Sequence, residues 1–169
     1  MHALYVLSVW IHIIAATIWI GGMLFLVLVV VPWLRSGARM DAARFLRETG
    51  ERFRNVGWAC FVVLLVTGTF NLWVRGVRLS DFVRSEWLQS PFGKTVLVKL
   101  GAFALVLLVS AIHDFYVGPR ATQAIAAAGR DSSQAQVERR RASLLGRINV
   151  LLALVLVAAG VMLVRGVPW

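Results

Sequence analysis

Residues 95–117 have the sequence TVLVKLGAFALVLLVSAIHDFYV, an apolar run in which only Lys99 and Asp114 carry a charge. An α-helix rises about 1.5 Å per residue, so about 20 such residues cross the roughly 30 Å hydrocarbon core of a bilayer. This segment therefore predicts a membrane-spanning helix.

Three further apolar runs, at 3–34, 56–74 and 144–164, have the same character. The chain of 169 residues is 59% hydrophobic and 15% charged, which is too apolar for a domain whose surface faces water. We predict an all-α integral membrane protein, an antiparallel four-helix bundle that forms one domain over 1–169.

The basic residues predict the orientation of the four spans. Six arginines lie between spans one and two and six between spans three and four, whereas the opposite side has five basic residues. By the positive-inside rule we expect the first and third loops to be cytoplasmic and both termini to lie outside the plasma membrane. The net charge of +10 is thus attributed to membrane-surface arginines and not to a nucleic-acid partner.

Two connections carry helix signals. The segment from Asp41 to Arg54 mixes apolar and charged residues, and it suits either a helix lying in the membrane interface or an ordinary loop. Ser133 followed by Gln136 resembles a capping box, which predicts a helix that starts there and continues through Arg139–Arg141 into span four.

Ionisable and strongly polar residues within the spans are the candidates for function, because such groups are costly in lipid. The predicted topology places His12 and Lys99 together in the outer third. It places a second group near the cytoplasmic side, composed of His113, Asp114, Arg147 and Asn149. Small residues at 15, 16, 21 and 22 of span one favour either a ligand groove or close helix packing.

These residues allow three interpretations. His12 and His113 are candidate metal ligands for a b-type haem, with Lys99 or Arg147 available to hold a propionate. Copper could instead use the histidines with Cys60 and three methionines, Met23, Met40 and Met162, although no regularly spaced Met or Cys motif occurs. A scaffold without a cofactor would use ion pairs, such as Asp114 with Arg147, or His12 with Lys99 through water.

Several of these residues lie in recognisable motifs. The segments HIIAATIWIGG (12–22) and FRNVGW (53–58), then Thr67-Gly68, Gly93-Lys94 and Lys99-Leu100, resemble the copper-resistance D (CopD) membrane domain over most of the first three spans. The set of His12, Lys99, His113 and Arg147-Ile-Asn149 resembles the four-helix membrane protoporphyrinogen oxidases. That second resemblance implies haem and porphyrin chemistry at the matching histidine and lysine.

The sequence therefore predicts a membrane redox protein that binds haem b, with His12, Lys99, His113, Arg147 and Asn149 as its site residues. Copper transport or copper resistance is the alternative, and a cofactor-free scaffold is the further alternative. An oxidoreductase activity, a membrane or periplasmic redox partner and self-association are left open. The lipid bilayer is the expected surrounding of all four spans.

Overall fold

A computed structural model describes residues 1–35, 42–128 and 132–166, and every regular element in these ranges is helical. The all-α prediction is therefore confirmed. In chain order the α-helices are α1 (His2–Phe25), α2 (Val31–Arg35), α3 (Ala42–Val74), α4 (Ser85–Gln89), α5 (Pro91–Ile112), α6 (Gly118–Ala128) and α7 (Ser133–Arg165).

Four helical segments of the described residues are long and apolar enough to cross a membrane. They are His2–Trp33, Glu48–Val74, Pro91–Ala121 and Gln136–Arg165. Each predicted span overlaps one of them, which confirms a multi-pass membrane protein. The lipid-facing sides carry exposed apolar side chains such as Ile13, Leu65 and Leu151.

Two of the helices are longer than their apolar spans. α3 begins at Ala42, so residues 42–54 are the first turns of the same helix that forms span two. α7 begins at Ser133, as the capping signal predicted, and continues through Arg139–Arg141 to Arg165. Both helices extend beyond the apolar run, because the backbone hydrogen bonds of a helix also form outside the membrane. Hydropathy identifies only the membrane-spanning part of each helix.

Two short π-helical turns interrupt the spans. Leu26–Val30 joins α1 to α2, and His113–Val117 joins α5 to α6. A π-turn adds a residue to the helical repeat and therefore rotates the residues that follow around the axis.

The chain divides into two compact units, Met1–Phe82 and Val83–Trp169. In the first unit α1 packs antiparallel to α3, since Trp19 contacts Phe61 with ring centroids 5.0 Å apart and His12 contacts Thr67 further along. The inward face of α1 carries Ser8, Ala15, Trp19 and Met23 at helical spacing.

In the second unit α5 packs antiparallel to α7. The amide of Asn149 donates to Ser110 at one level, and Lys99 lies over Gly160 about three turns further along the same pair of helices. Val106 and Ala153 are almost fully buried between these contacts. A small apolar core thus separates two polar contacts within this unit.

Capping contacts terminate α3 at its C-terminal end and initiate α5 at its N-terminal end. Gly76 has a φ of +86°, a conformation suited to glycine, and its N–H donates to the carbonyl of Trp73. The guanidinium of Arg78 donates to the same carbonyl at 2.7 Å. Before α5, the Ser90 hydroxyl accepts from the N–H of Gly93, with Pro91 at the first helical position.

Some sequence predictions fall on residues outside the described ranges. Asp41, the first residue of the predicted interfacial segment, and Met40, a candidate copper ligand, are among them.

Candidate functional site

His12 occupies the inward face of α1 in the first unit. Its imidazole Nδ1 lies 2.7 Å from the Thr67 hydroxyl oxygen on α3. The ring also packs over Gly68, where an added Cβ would lie 3.4 Å from the His12 Cε1. The imidazole of His12 therefore lies close to the backbone of α3 at Gly68.

The hydrogen-bond network assigns the tautomer of His12. The single hydroxyl proton of Thr67 is donated to the carbonyl of Val63 at 2.6 Å, the usual back-bond of a helical threonine. With that bond made, the hydroxyl accepts from His12, which favours the tautomer that carries the ring proton on Nδ1. In the neutral imidazole the Nε2 atom consequently holds the lone pair, which is the arrangement of a metal-binding histidine oriented by a hydrogen bond at its other nitrogen.

Cys60 and Met23 occupy the same interface as His12 at other depths. Cys60 precedes Thr67 by seven residues, so it lies about 10 Å along α3 and within about 20° of the same face. Met23 follows His12 by eleven residues and shares its face of α1 within about 20°. Both side chains are buried, with 7% of each exposed.

A second pair of polar residues lies one turn from His12 and Thr67, towards the N-terminus of α1. Ser8 precedes His12 by four residues and Asn71 follows Thr67 by four, so the antiparallel register brings them to one depth. Their Oγ and Oδ1 atoms are buried and have no hydrogen-bond partner among the described residues. The sequence analysis did not single out Ser8, although its spacing from His12 was a usable signal.

The second unit holds the residues predicted to form the inner cluster. The Asn149 amide donates to the Ser110 hydroxyl at 2.8 Å, and its carbonyl oxygen is buried without a partner in the described part of the chain. One turn further along α5, the His113 Nδ1 lies 2.9 Å from an Asp114 carboxylate oxygen, at the start of the π-turn. Sequence reasoning overlooked Ser110, which precedes His113 by three residues.

Arg147 is not brought to this group. Arg147 precedes Asn149 by two residues, which places the two side chains about 160° apart around the axis of α7. Its side chain is exposed and forms no ion pair or hydrogen bond within the described residues. The Asp114–Arg147 ion pair considered for a scaffold is therefore not formed.

Lys99 and the small residues of α1 also have defined surroundings. The Lys99 ammonium lies next to Gly160 within the second unit, 3.8 Å from where a Cβ would be, which is ordinary van der Waals contact. On α1, a Cβ at Gly22 would lie 2.5 Å from the Phe53 ring, whereas Gly21 has no atom within 4 Å. Gly22 thus serves the packing of α1 against α3.

No group of three or more His, Cys, Asp or Glu side chains placed to share one metal ion occurs among the described residues. The donors of the first unit are instead distributed one to a level: His12, then Cys60, then Met23. A metal ion at any one level would meet a single strong side-chain donor from this set.

Comparison with known proteins gives the family. The family model described as Copper resistance protein D (CopD) matches residues 47–163, more than half of the chain. The chain belongs to the CopD family. This confirms the resemblance noted in its motifs. The CopD match covers Cys60, Thr67 and most of the second unit, and it begins after His12.

One similar protein, from Aquifex aeolicus (strain VF5), is 32% identical over 156 residues, which is 92% of each chain. It is described as an uncharacterized protein. No solved structure gives a significant match. The comparisons therefore support a copper-resistance membrane protein, the alternative that the sequence analysis had placed second to haem binding.

Proposed function

We propose that this CopD-family protein carries copper within the membrane along the interface of α1 and α3, with Cu(I) as its substrate. The observation that supports this most is the alignment of three donors that Cu(I) accepts: an imidazole, a thiol and a thioether. His12, Cys60 and Met23 share one buried interface at successive depths. Their scattered positions in the sequence concealed this relationship.

His12 is the donor of the three whose orientation is defined by a hydrogen bond. The hydrogen bond between its Nδ1 and Thr67 orients the ring, as a supporting hydrogen bond does for a metal-binding histidine. Thr67 therefore acts as a positioning residue, and it lies within the part of the chain that the CopD family model matches.

The spacing of the donors suits passage of the ion. Cys60 lies about 10 Å from the level of Thr67, and Met23 about 16 Å from His12 along its helix. Because each level offers a single strong donor, the ion is bound weakly enough to leave that level again. Conduction through a membrane requires such weak binding. Loss of one donor should slow passage without abolishing the fold.

Copper uptake into liposomes tests the proposal. Purified protein is reconstituted into vesicles that contain a membrane-impermeant Cu(I)-binding dye, and Cu(I) is supplied outside with ascorbate. We expect uptake above that of protein-free vesicles, with slower uptake for His12→Ala, Cys60→Ser and Met23→Leu. Met162→Leu in α7 is the matched control for Met23→Leu. Uptake no faster than in protein-free vesicles would refute the proposal.

Haem binding is the second candidate, and it rests on the same feature of His12, since a neutral imidazole with its lone pair on Nε2 is also an axial ligand for haem iron. The fit is partial, because the two histidines predicted as ligands belong to different units, His12 to the first and His113 to the second. When bound, haem would supply one-electron chemistry. A Soret band in the purified protein that is lost in His12→Ala would favour haem over copper.

A further inference from the structure

The polar groups of the first unit form three layers between the end of the helix pair and His12. At the end, Arg75 Nε donates to the hydroxyl of Tyr5 at 3.3 Å, and both side chains are at least partly exposed. One turn inward lie Ser8 and Asn71, and one further turn inward His12 contacts Thr67. The layers follow one another at helical spacing on both α1 and α3.

The middle layer is the one whose hydrogen bonding is incomplete. The Ser8 side chain is 9% exposed, and the Oγ of Ser8 and the Oδ1 of Asn71 both lie buried without a partner among the described residues. Lipid offers no hydrogen bond to such atoms, so they are normally satisfied by protein groups or by bound water. Two unsatisfied oxygens at one depth, between an exposed polar pair and a histidine, point to a common ligand.

We propose that Ser8 and Asn71 bind water, and that this water extends the solvent from Tyr5 and Arg75 to the ring of His12. Water suits the layer because the serine hydroxyl can donate and accept while the amide oxygen accepts, and a buried water makes two to four such bonds. The hydration itself rests on the two unsatisfied oxygens. Only the identity of the solute that enters by this route, copper, rests on the proposed function.

Hydroxyl-radical labelling by X-ray radiolysis tests the hydration directly, because radicals formed from a bound water oxidise the side chain beside it. The experiment uses the full-length protein in lipid nanodiscs with the native cysteine removed by Cys60→Ala, followed by mass spectrometry of the oxidised thiol. Ser8→Cys places the probe in the middle layer. Leu7→Cys is the matched control at the same depth, since Leu7 is 49% exposed on the lipid-facing side of α1.

We expect Ser8→Cys to be oxidised several-fold faster than Leu7→Cys, and the added substitution Asn71→Leu to slow that oxidation. Equal rates at positions 7 and 8 would overturn the proposal. A second pair, Asn71→Cys against Thr69→Cys on the exposed side of α3, gives the same comparison if Ser8→Cys does not fold.

The labelling requires no copper, so the two proposals fail separately. Rapid oxidation at position 8 in a protein that takes up no copper would support the hydrated layer and refute the transport function. Copper uptake with equal oxidation at positions 7 and 8 would support the transport function and refute the hydrated layer.

Discussion

The Nδ1 atom of His12 on α1 lies 2.7 Å from the hydroxyl oxygen of Thr67 on α3, and that hydroxyl donates to the carbonyl of Val63. This chain of two hydrogen bonds connects the backbone of one span to the orientation of a ring on another. It fixes the nitrogen that a metal ion would meet. Under the proposed function, a threonine of span two therefore orients the imidazole of span one that binds copper.

Thr67→Val should therefore weaken Cu(I) binding. Valine keeps the size of the side chain and removes the acceptor for His12, so the ring loses its preferred tautomer and orientation. Loss of such a supporting hydrogen bond typically lowers metal affinity about 10- to 100-fold. Competition with a Cu(I) chelator in detergent measures the change.

Thr69→Val is the control for that substitution, since Thr69 lies on the exposed side of the same helix. Its affinity should match that of the unmodified protein. An unchanged affinity in Thr67→Val would show that the His12–Thr67 hydrogen bond does not support metal binding.

Adjacent glycines of α1 should respond differently to alanine. Gly22→Ala places a Cβ within 2.5 Å of the present position of the Phe53 ring, which must move, whereas Gly21→Ala meets nothing within 4 Å. Overpacking of this kind costs about 1 to 3 kcal/mol. We expect Gly22→Ala to lower the thermal unfolding midpoint, followed by circular dichroism, relative to Gly21→Ala. Equal midpoints would mean that Phe53 adapts without loss.

The spans were predictable because hydropathy is summed over about 20 residues and the lipid leaves few alternatives to a helix. The full extent of α3 was not, since residues 42–54 are polar and belong to a helix that continues into water. The π-turn at Leu26–Val30 could not be predicted either. A uniformly apolar run has no polar–apolar period, so a change in the helical repeat leaves no mark on the sequence.

The site was only partly predictable. His12 stood out as an ionisable residue in lipid, whereas Ser8 is nearly neutral on hydropathy scales and was missed. Arg147 was grouped with Asn149 by depth alone, although residues two positions apart on a helix point to nearly opposite sides. The alignment of Cys60 and Met23 with His12 required the register between α1 and α3, which no local pattern contains.

The orientation of the chain stays a prediction that cysteine labelling can decide. In the Cys60→Ala background, Gly129→Cys should react with an impermeant maleimide only from the cytoplasmic side, because the arginine-rich loops are expected there. Ser80→Cys, in the connection that follows α3, is the control for the other side. Reaction of position 129 in intact cells would reverse the assigned topology.

The last prediction concerns the inner group of the second unit, where Asn149 donates to Ser110 one turn from the His113–Asp114 pair. A double-mutant cycle of Ser110→Ala and Asn149→Ala should give a coupling of about 0.6 to 2 kcal/mol, the range for hydrogen bonds between membrane helices. Arg147→Ala should leave the unfolding midpoint unchanged, because that side chain is exposed and unpaired within the described residues.

Copper uptake then separates a structural from a functional role for this group. A functional role predicts that His113→Ala and Asn149→Ala slow uptake at temperatures where both variants remain folded, while Arg147→Ala does not, because only the first two belong to the polar group. Uptake that both variants leave unaltered, together with unfolding midpoints lowered in both, would assign the group to helix packing alone.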